Sequence, residues 1–197
     1  MRTLILIFSV TILSAWIPKA GKAGDSVQGR TRSGGKGNIE IPCGKPSAAW
    51  NAYTPPVLYG GMVKCIEGND YESAVYFFAA AGTFTYFDSL RVADESARTA
   101  QTLLLRKAVA ELDQIKRDTL MDAIQRKLGN ADELPNVCSE MWRVGAPQYY
   151  PRYIIHHESN ADTGDHPETE LVQDFDAKVG WKNAMNGYLH CPESTNK

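Results

Sequence analysis

The chain has no apolar run of the roughly 20 residues that a membrane-spanning helix needs. The uncharged stretch TLILIFSVTILSAWI at its start covers only residues 3–17. Basic residues are not in excess: 21 lysines and arginines stand against 23 aspartates and glutamates. That balance argues against a nucleic-acid partner, whose binding rests on basic patches. Three kinds of chemistry lack their motif. There is no C-x-x-C for zinc or thiol redox, no H-E-x-x-H for a metalloprotease and no G-x-S-x-G for a nucleophilic serine. Alternating strand patterns are nearly missing as well, which leaves the helix as the main element.

What is present begins with an export signal. Arg2 precedes the apolar run, and small residues follow at Gly21 and Ala23, so residues 1–23 read as a signal peptide cleaved after Ala23. Cleavage removes three basic residues and no acidic one, moving the formal charge from −2 to −5. No stable membrane insertion is expected after that. Residues 24–38 are Gly-rich and basic and read as a flexible linker. GRTRSGGKG resembles a phosphate loop, but Gly35 stands where the motif needs lysine. The folded part is expected over 39–191, with a flexible tail at 192–197.

Four cysteines, Cys43, Cys65, Cys138 and Cys191, form an even set in an exported chain. Two disulfides and a periplasmic or secreted location follow as expectations. Three pairings are open. Closing the longest loop favours Cys43–Cys191 with Cys65–Cys138 in the chain-entropy model.

The helical pattern is read from punctuation and spacing. Ser47 opens a short helix over SAAWNAY, and Thr54 with Pro55 and Pro56 opens the next. Asp70 caps YESAVYFFAAAGTFTYFDSLRV, which is apolar nearly all round and therefore central. Gly82, Thr83 and Thr85 suggest a break within it. Ala97, Ala100, Leu104, Ala108 and Leu112 form one amphipathic stripe from Asp94, and Leu120, Ile124 and Leu128 another, with no Gly or Pro between them. A helix over PNVCSEMWRV stops at Gly145, and a last one spans about 174–190. The fold class is all-α: one helical bundle, or a short degenerate helical-repeat array, with two disulfides.

GNDYESAVYFFAAAG is similar to the second helix of tetratricopeptide and Sel1-like repeats. Asp70, Tyr71, Ala74, Phe78 and Ala81 match that pattern, and Leu58 matches the large residue of the preceding helix. The likeness covers about 30 residues. It departs from the family in having no helix-ending proline, no clear packing glycine at Gly61-Met62 and no second copy at a fixed period. The resemblance implies a bacterial envelope protein that binds a protein partner rather than one that performs chemistry. Exported Sel1-like proteins include immunity partners of antibacterial effectors, so an immunity-type inhibitor is the function expected from it.

Two segments are candidates for contact. QYYPRYIIHH carries Tyr149, Tyr150, Arg152 and Tyr153, residue types enriched at binding hot spots, followed by His156 and His157. Pro147 and Pro151 stiffen it. Residues 158–176 hold seven acids and no lysine or arginine, and read as an exposed loop. His156, His157, His166, Asp162 and Asp165 are metal-ligand types without metal-ligand spacing. Counted from Asn160, a calcium loop would need glycine where Asp165 stands and glutamate where Leu171 stands. No cofactor, metal or catalytic residue is therefore expected. The rival expectations are a metal-dependent hydrolase using His156, His157 and His166, and a structural envelope protein.

Overall fold

The computed structural model of the protein describes residues 41–155 and 171–192. The expected signal peptide 1–23, the linker 24–38, His156, His157, His166 and residues 193–197 of the tail lie outside them. Seven α-helices are present among the described residues, with no strand: α1 Pro55–Glu67, α2 Tyr71–Arg91, α3 Ala100–Val109, α4 Gln114–Leu128, α5 Leu134–Val144, α6 Arg152–Ile155 and α7 Ala177–Leu189. Short 3-10 helices at Ala48–Ala52 and Glu95–Thr99 precede α1 and α3. The class is all-α. No helix among these residues is long and apolar enough to cross a membrane.

Helix α2 is the axis. Glu72 is its one exposed residue. Its start is set by Asp70, whose carboxylate accepts the Ser73 amide at 3.0 Å and the Ser73 hydroxyl at 2.6 Å. This satisfies donors that a helix N-terminus leaves unpaired. Helix α1 lies antiparallel to it, joined through Gly68, Asn69 and Asp70, with Asn69 at φ 59° completing the tight turn. The expected break in α2 does not occur. Thr83 and Thr85 donate their hydroxyls to the carbonyls of Ala79 and Ala81 at 2.7 and 2.8 Å, so their burial leaves no unpaired group.

Gly82 serves packing instead. A Cβ there would lie 2.1 Å from the Tyr188 ring, and one at Gly187 would lie 2.7 Å from the Tyr86 hydroxyl. Helices α2 and α7 thus exchange tyrosines, each into the other's glycine notch. Gly61 does the same for α1, since its Cβ would fall 2.5 Å from Phe77. Gly61 is thus where α1 lets the Phe77 ring of α2 approach its backbone.

The remaining elements cover the other faces of α2. Trp50 of the first 3-10 helix stacks on Phe77 with centroids 4.2 Å apart. Trp181 of α7 meets Phe84, Phe87 and Trp142 at 5.8, 6.2 and 6.3 Å. Helices α3 and α4 are separate, because Asp113 accepts the Lys116 amide at 2.8 Å and starts a new helix. A side-chain cap therefore divides two stripes that no Gly or Pro separates.

The disulfides join Cys43 to Cys65 and Cys138 to Cys191, which corrects the expected pairing. Each pair has Cα atoms 5.7 Å apart. A bridge forms only between cysteines that packing has already brought within about 7 Å. Trp50 on Phe77 lays the N-terminal segment across the α1–α2 hairpin, near Cys65. Trp142 against Trp181 brings α5 to α7, and Cys191 follows two residues after the end of α7. The entropy gained by closing a long loop ranks possible bridges but does not create proximity.

Peptides from a non-reducing digest are expected to link Cys43 with Cys65 and Cys138 with Cys191; a Cys43–Cys191 species would contradict the fold. The sequence separations are 22 and 53 residues. Replacing each pair by serine should therefore lower stability by about 3 and about 4 kcal/mol respectively, measured by urea unfolding.

Candidate functional site

Gly145, at φ 79°, turns the chain out of α5 into the aromatic segment. The Gln148 amide then donates to the Asn51 carbonyl at 2.8 Å, and the Asn51 side chain donates to the Val144 carbonyl at 3.3 Å. Pro147 and Pro151 are buried. The tyrosines divide by direction. Tyr149 and Tyr153 turn inward, with ring centroids 6.4 Å apart. Tyr150 turns outward and is 42% exposed, with the exposed Arg152 guanidinium 5.6 Å from its ring centroid.

What holds the inward pair is Asp88, a carboxylate with no exposure at all, on the last turns of α2. Its Oδ2 accepts the hydroxyls of Tyr149 at 2.8 Å and Tyr153 at 2.6 Å. Its Oδ1 accepts Nε and Nη2 of Arg91 at 2.8 and 2.7 Å. Arg91 reaches on to the Tyr149 carbonyl at 2.8 Å and lies over the rings of Phe87 and Tyr149 at 5.1 and 5.4 Å. Both tyrosine hydroxyls and the Nε and Nη2 groups of Arg91 meet acceptors, and such pairing is what makes a buried carboxylate tolerable. Burial raises the Asp88 pKa, against the lowering effects of Arg91 and the two tyrosine hydroxyls. Burial, then the negative charge of Asp88, drives the pKa values of Tyr149 and Tyr153 well above the ordinary phenol value.

The end of α2 also anchors the chain on both sides of residues 156–170. Ile155 and Leu171 pack on the same small cluster of Val92, Ala97, Ala100 and Ile154. The Val172 amide donates to the Arg91 carbonyl at 2.8 Å, beside a single antiparallel bridge between Val92 and Leu171. The segment carrying the predicted acidic stretch thus leaves from and returns to the end of α2.

Tyr153 also borders a cleft between α1 and α3, about 510 Å³ in volume. Pro56, Tyr59, Val63, Leu104, Ala108 and Leu112 supply its apolar lining, and Glu67, Lys107 and Glu111 its charges. Tyr59 is buried, with no hydrogen-bond partner for its hydroxyl among the described residues, and burial raises its pKa beyond the usual phenol range. Two smaller clefts flank Lys127, which is already paired with Glu72 at 2.5 Å and Glu133 at 3.9 Å.

Of the predicted contact residues, the structure brings Tyr149 and Tyr153 together and leaves Tyr150 and Arg152 at the surface. Asp88 and Arg91 were missed. The signal was available: an aspartate set among Phe84, Phe87 and Leu90 on a central helix, with arginine three residues later. No group of three or more metal-ligating side chains occurs among the described residues. Compared with known proteins, the chain matches no family model, no curated protein and no solved structure.

Asp88→Ala removes the carboxylate from beside Arg91 and from two buried tyrosine hydroxyls, and should cost about 3–5 kcal/mol in chemical denaturation. The tyrosines set an alkaline limit. Tyr59, Tyr149, Tyr153 and Tyr188 all have folded-state pKa values raised by burial. The unfolded chain releases these protons near pH 10, at about the ordinary phenol pKa, while the folded chain keeps them. Stability is therefore full below about pH 10 and is lost as pH rises above it. Phenolate absorbance from these residues should appear together with unfolding, not before it.

Proposed function

We propose that this protein is exported and acts by binding another protein, with Tyr150 and Arg152 as the contact pair. The observation that carries this reading is their setting: an exposed aromatic ring under a guanidinium, on a segment pinned from beneath by Asp88. Tyrosine and arginine dominate binding hot spots, and a segment already ordered loses little entropy on association. Tyr149 and Tyr153 then serve as the mounting and Tyr150 and Arg152 as the contact. His156 and His157 extend the same segment.

The leader-like residues 1–23 and the two disulfides support a periplasmic or secreted setting. The small-against-aromatic packing of Gly61 on Phe77 supports reading the α1–α2 hairpin as a degenerate tetratricopeptide or Sel1-like unit. The finer reading that follows is an immunity-type inhibitor that blocks a cleft of a secreted antibacterial effector.

Deleting the gene should leave cells open to killing by siblings that keep the whole locus. The wild-type protein should restore survival, and a Tyr150→Ala/Arg152→Ala protein should not, although its stability stays within about 0.5 kcal/mol of wild type. A deletion strain indifferent to its siblings would count against the immunity reading.

A further inference from the structure

We propose that the α1–α3 cleft receives an aromatic or large aliphatic side chain of a protein partner, with a lysine or arginine next to it in that partner. The proposal rests on the protein-binding reading above and names what one part of that surface takes. The cleft has the volume for such a side chain, about 510 Å³, between walls supplied by Val63, Leu104, Ala108 and Leu112. Gly60 borders it on α1, where a Cβ would meet no atom within 4 Å, so the space beside it is open. Apolar walls favour an apolar occupant, since burying its surface removes it from water.

The charge at one end specifies the neighbour. Helix α3 starts beside Val92, at the end of α2, where Ala100 packs. From there it leads back along α1, lining the cleft with Leu104, Lys107, Ala108 and Glu111. Helix α1 is antiparallel to α2, so α1 and α3 point the same way. Glu67 and Glu111 therefore fall at one end of the cleft, at the C-terminal ends of α1 and α3. Helix C-termini carry partial negative charge, which adds to the two carboxylates. Lys107 opposes them with a single positive charge. A cation next to the seated side chain completes this end, and an anion is repelled. The clefts beside Lys127 offer no such preference, because Glu72 and Glu133 already engage that ammonium.

The test uses two capped dipeptides, tryptophanyl-lysine and tryptophanyl-glutamate, titrated into the whole disulfide-bonded protein and followed by amide NMR. The lysine dipeptide should shift the resonances of Gly60, Val63 and Ala108 and bind about fivefold more tightly than the glutamate one, the scale of a partly exposed charge pair. Glu67→Gln/Glu111→Gln should bring the two dipeptides to equal affinity, and Ala108→Trp, which fills the cleft, should abolish both shifts. Should Ala108→Trp fail to fold, the surface pair of glutamine substitutions still decides the matter. Equal binding of both dipeptides to the wild type, or no movement of those three resonances, overturns the proposal. The spectra need no partner protein, so failure of the cleft registers there and failure of the immunity reading registers in survival.

Discussion

Everything in this fold answers to the burial of α2. A helix of 21 residues with apolar side chains nearly all round exposes a large hydrophobic surface unless it is covered from every side. Helix α1 covers one face through the Gly61–Phe77 contact, and α7 another through the paired tyrosine and glycine notches. Trp50 of the first 3-10 helix and Trp181 of α7 add ring contacts on Phe77 and Phe84. The small residues Ala79, Ala80 and Ala81 let these neighbours approach closely, and close approach is what recovers dispersion energy across the core.

Asp88 is the one ionisable group that α2 carries fully inside, and its surroundings explain why it is tolerated. Both carboxylate oxygens are occupied, one by Arg91 and the other by Tyr149 and Tyr153. These bonds tie Tyr149 and Tyr153 to the end of α2, and separate backbone contacts of Leu171 and Val172 with Val92 and Arg91 hold the chain there as well. A buried polar cluster of this kind adds little net stability over an apolar core, but it specifies one arrangement. Here the arrangement it specifies turns two tyrosines inward and leaves Tyr150 and Arg152 outward. The proposed contact surface is thus a consequence of the clamp beneath it.

Much of the helical layout was legible in the chain. Pro55 after Thr54, Asp70 before a long apolar run and Gly145 after PNVCSEMWRV are local signals, and each marks an observed helix boundary. The apparent break at Gly82 was misread because glycine and threonine weaken an isolated helix, whereas in the core Gly82 admits Tyr188 and the threonines bond their own backbone. The separation of α3 from α4 depended on a single aspartate cap, which a search for Gly and Pro passes over. For the candidate site, the residue types in QYYPRYIIHH were visible, but their directions were not. Alternate tyrosines face opposite ways only because Asp88 lies on one side of them.

By itself, then, the sequence determined the all-helical class, the central place of α2, the even set of cysteines and the segment richest in contact-type side chains. These follow from spacing and composition, which act between near neighbours along the chain. Only the tertiary structure decided the disulfide partners, the inward and outward tyrosines, the bonds of Tyr149 and Tyr153 to Asp88 and the cleft between α1 and α3. Each of these depends on residues far apart in sequence arriving within a few ångströms of one another. That proximity is set by how the faces of α2 are covered, and no local pattern records it.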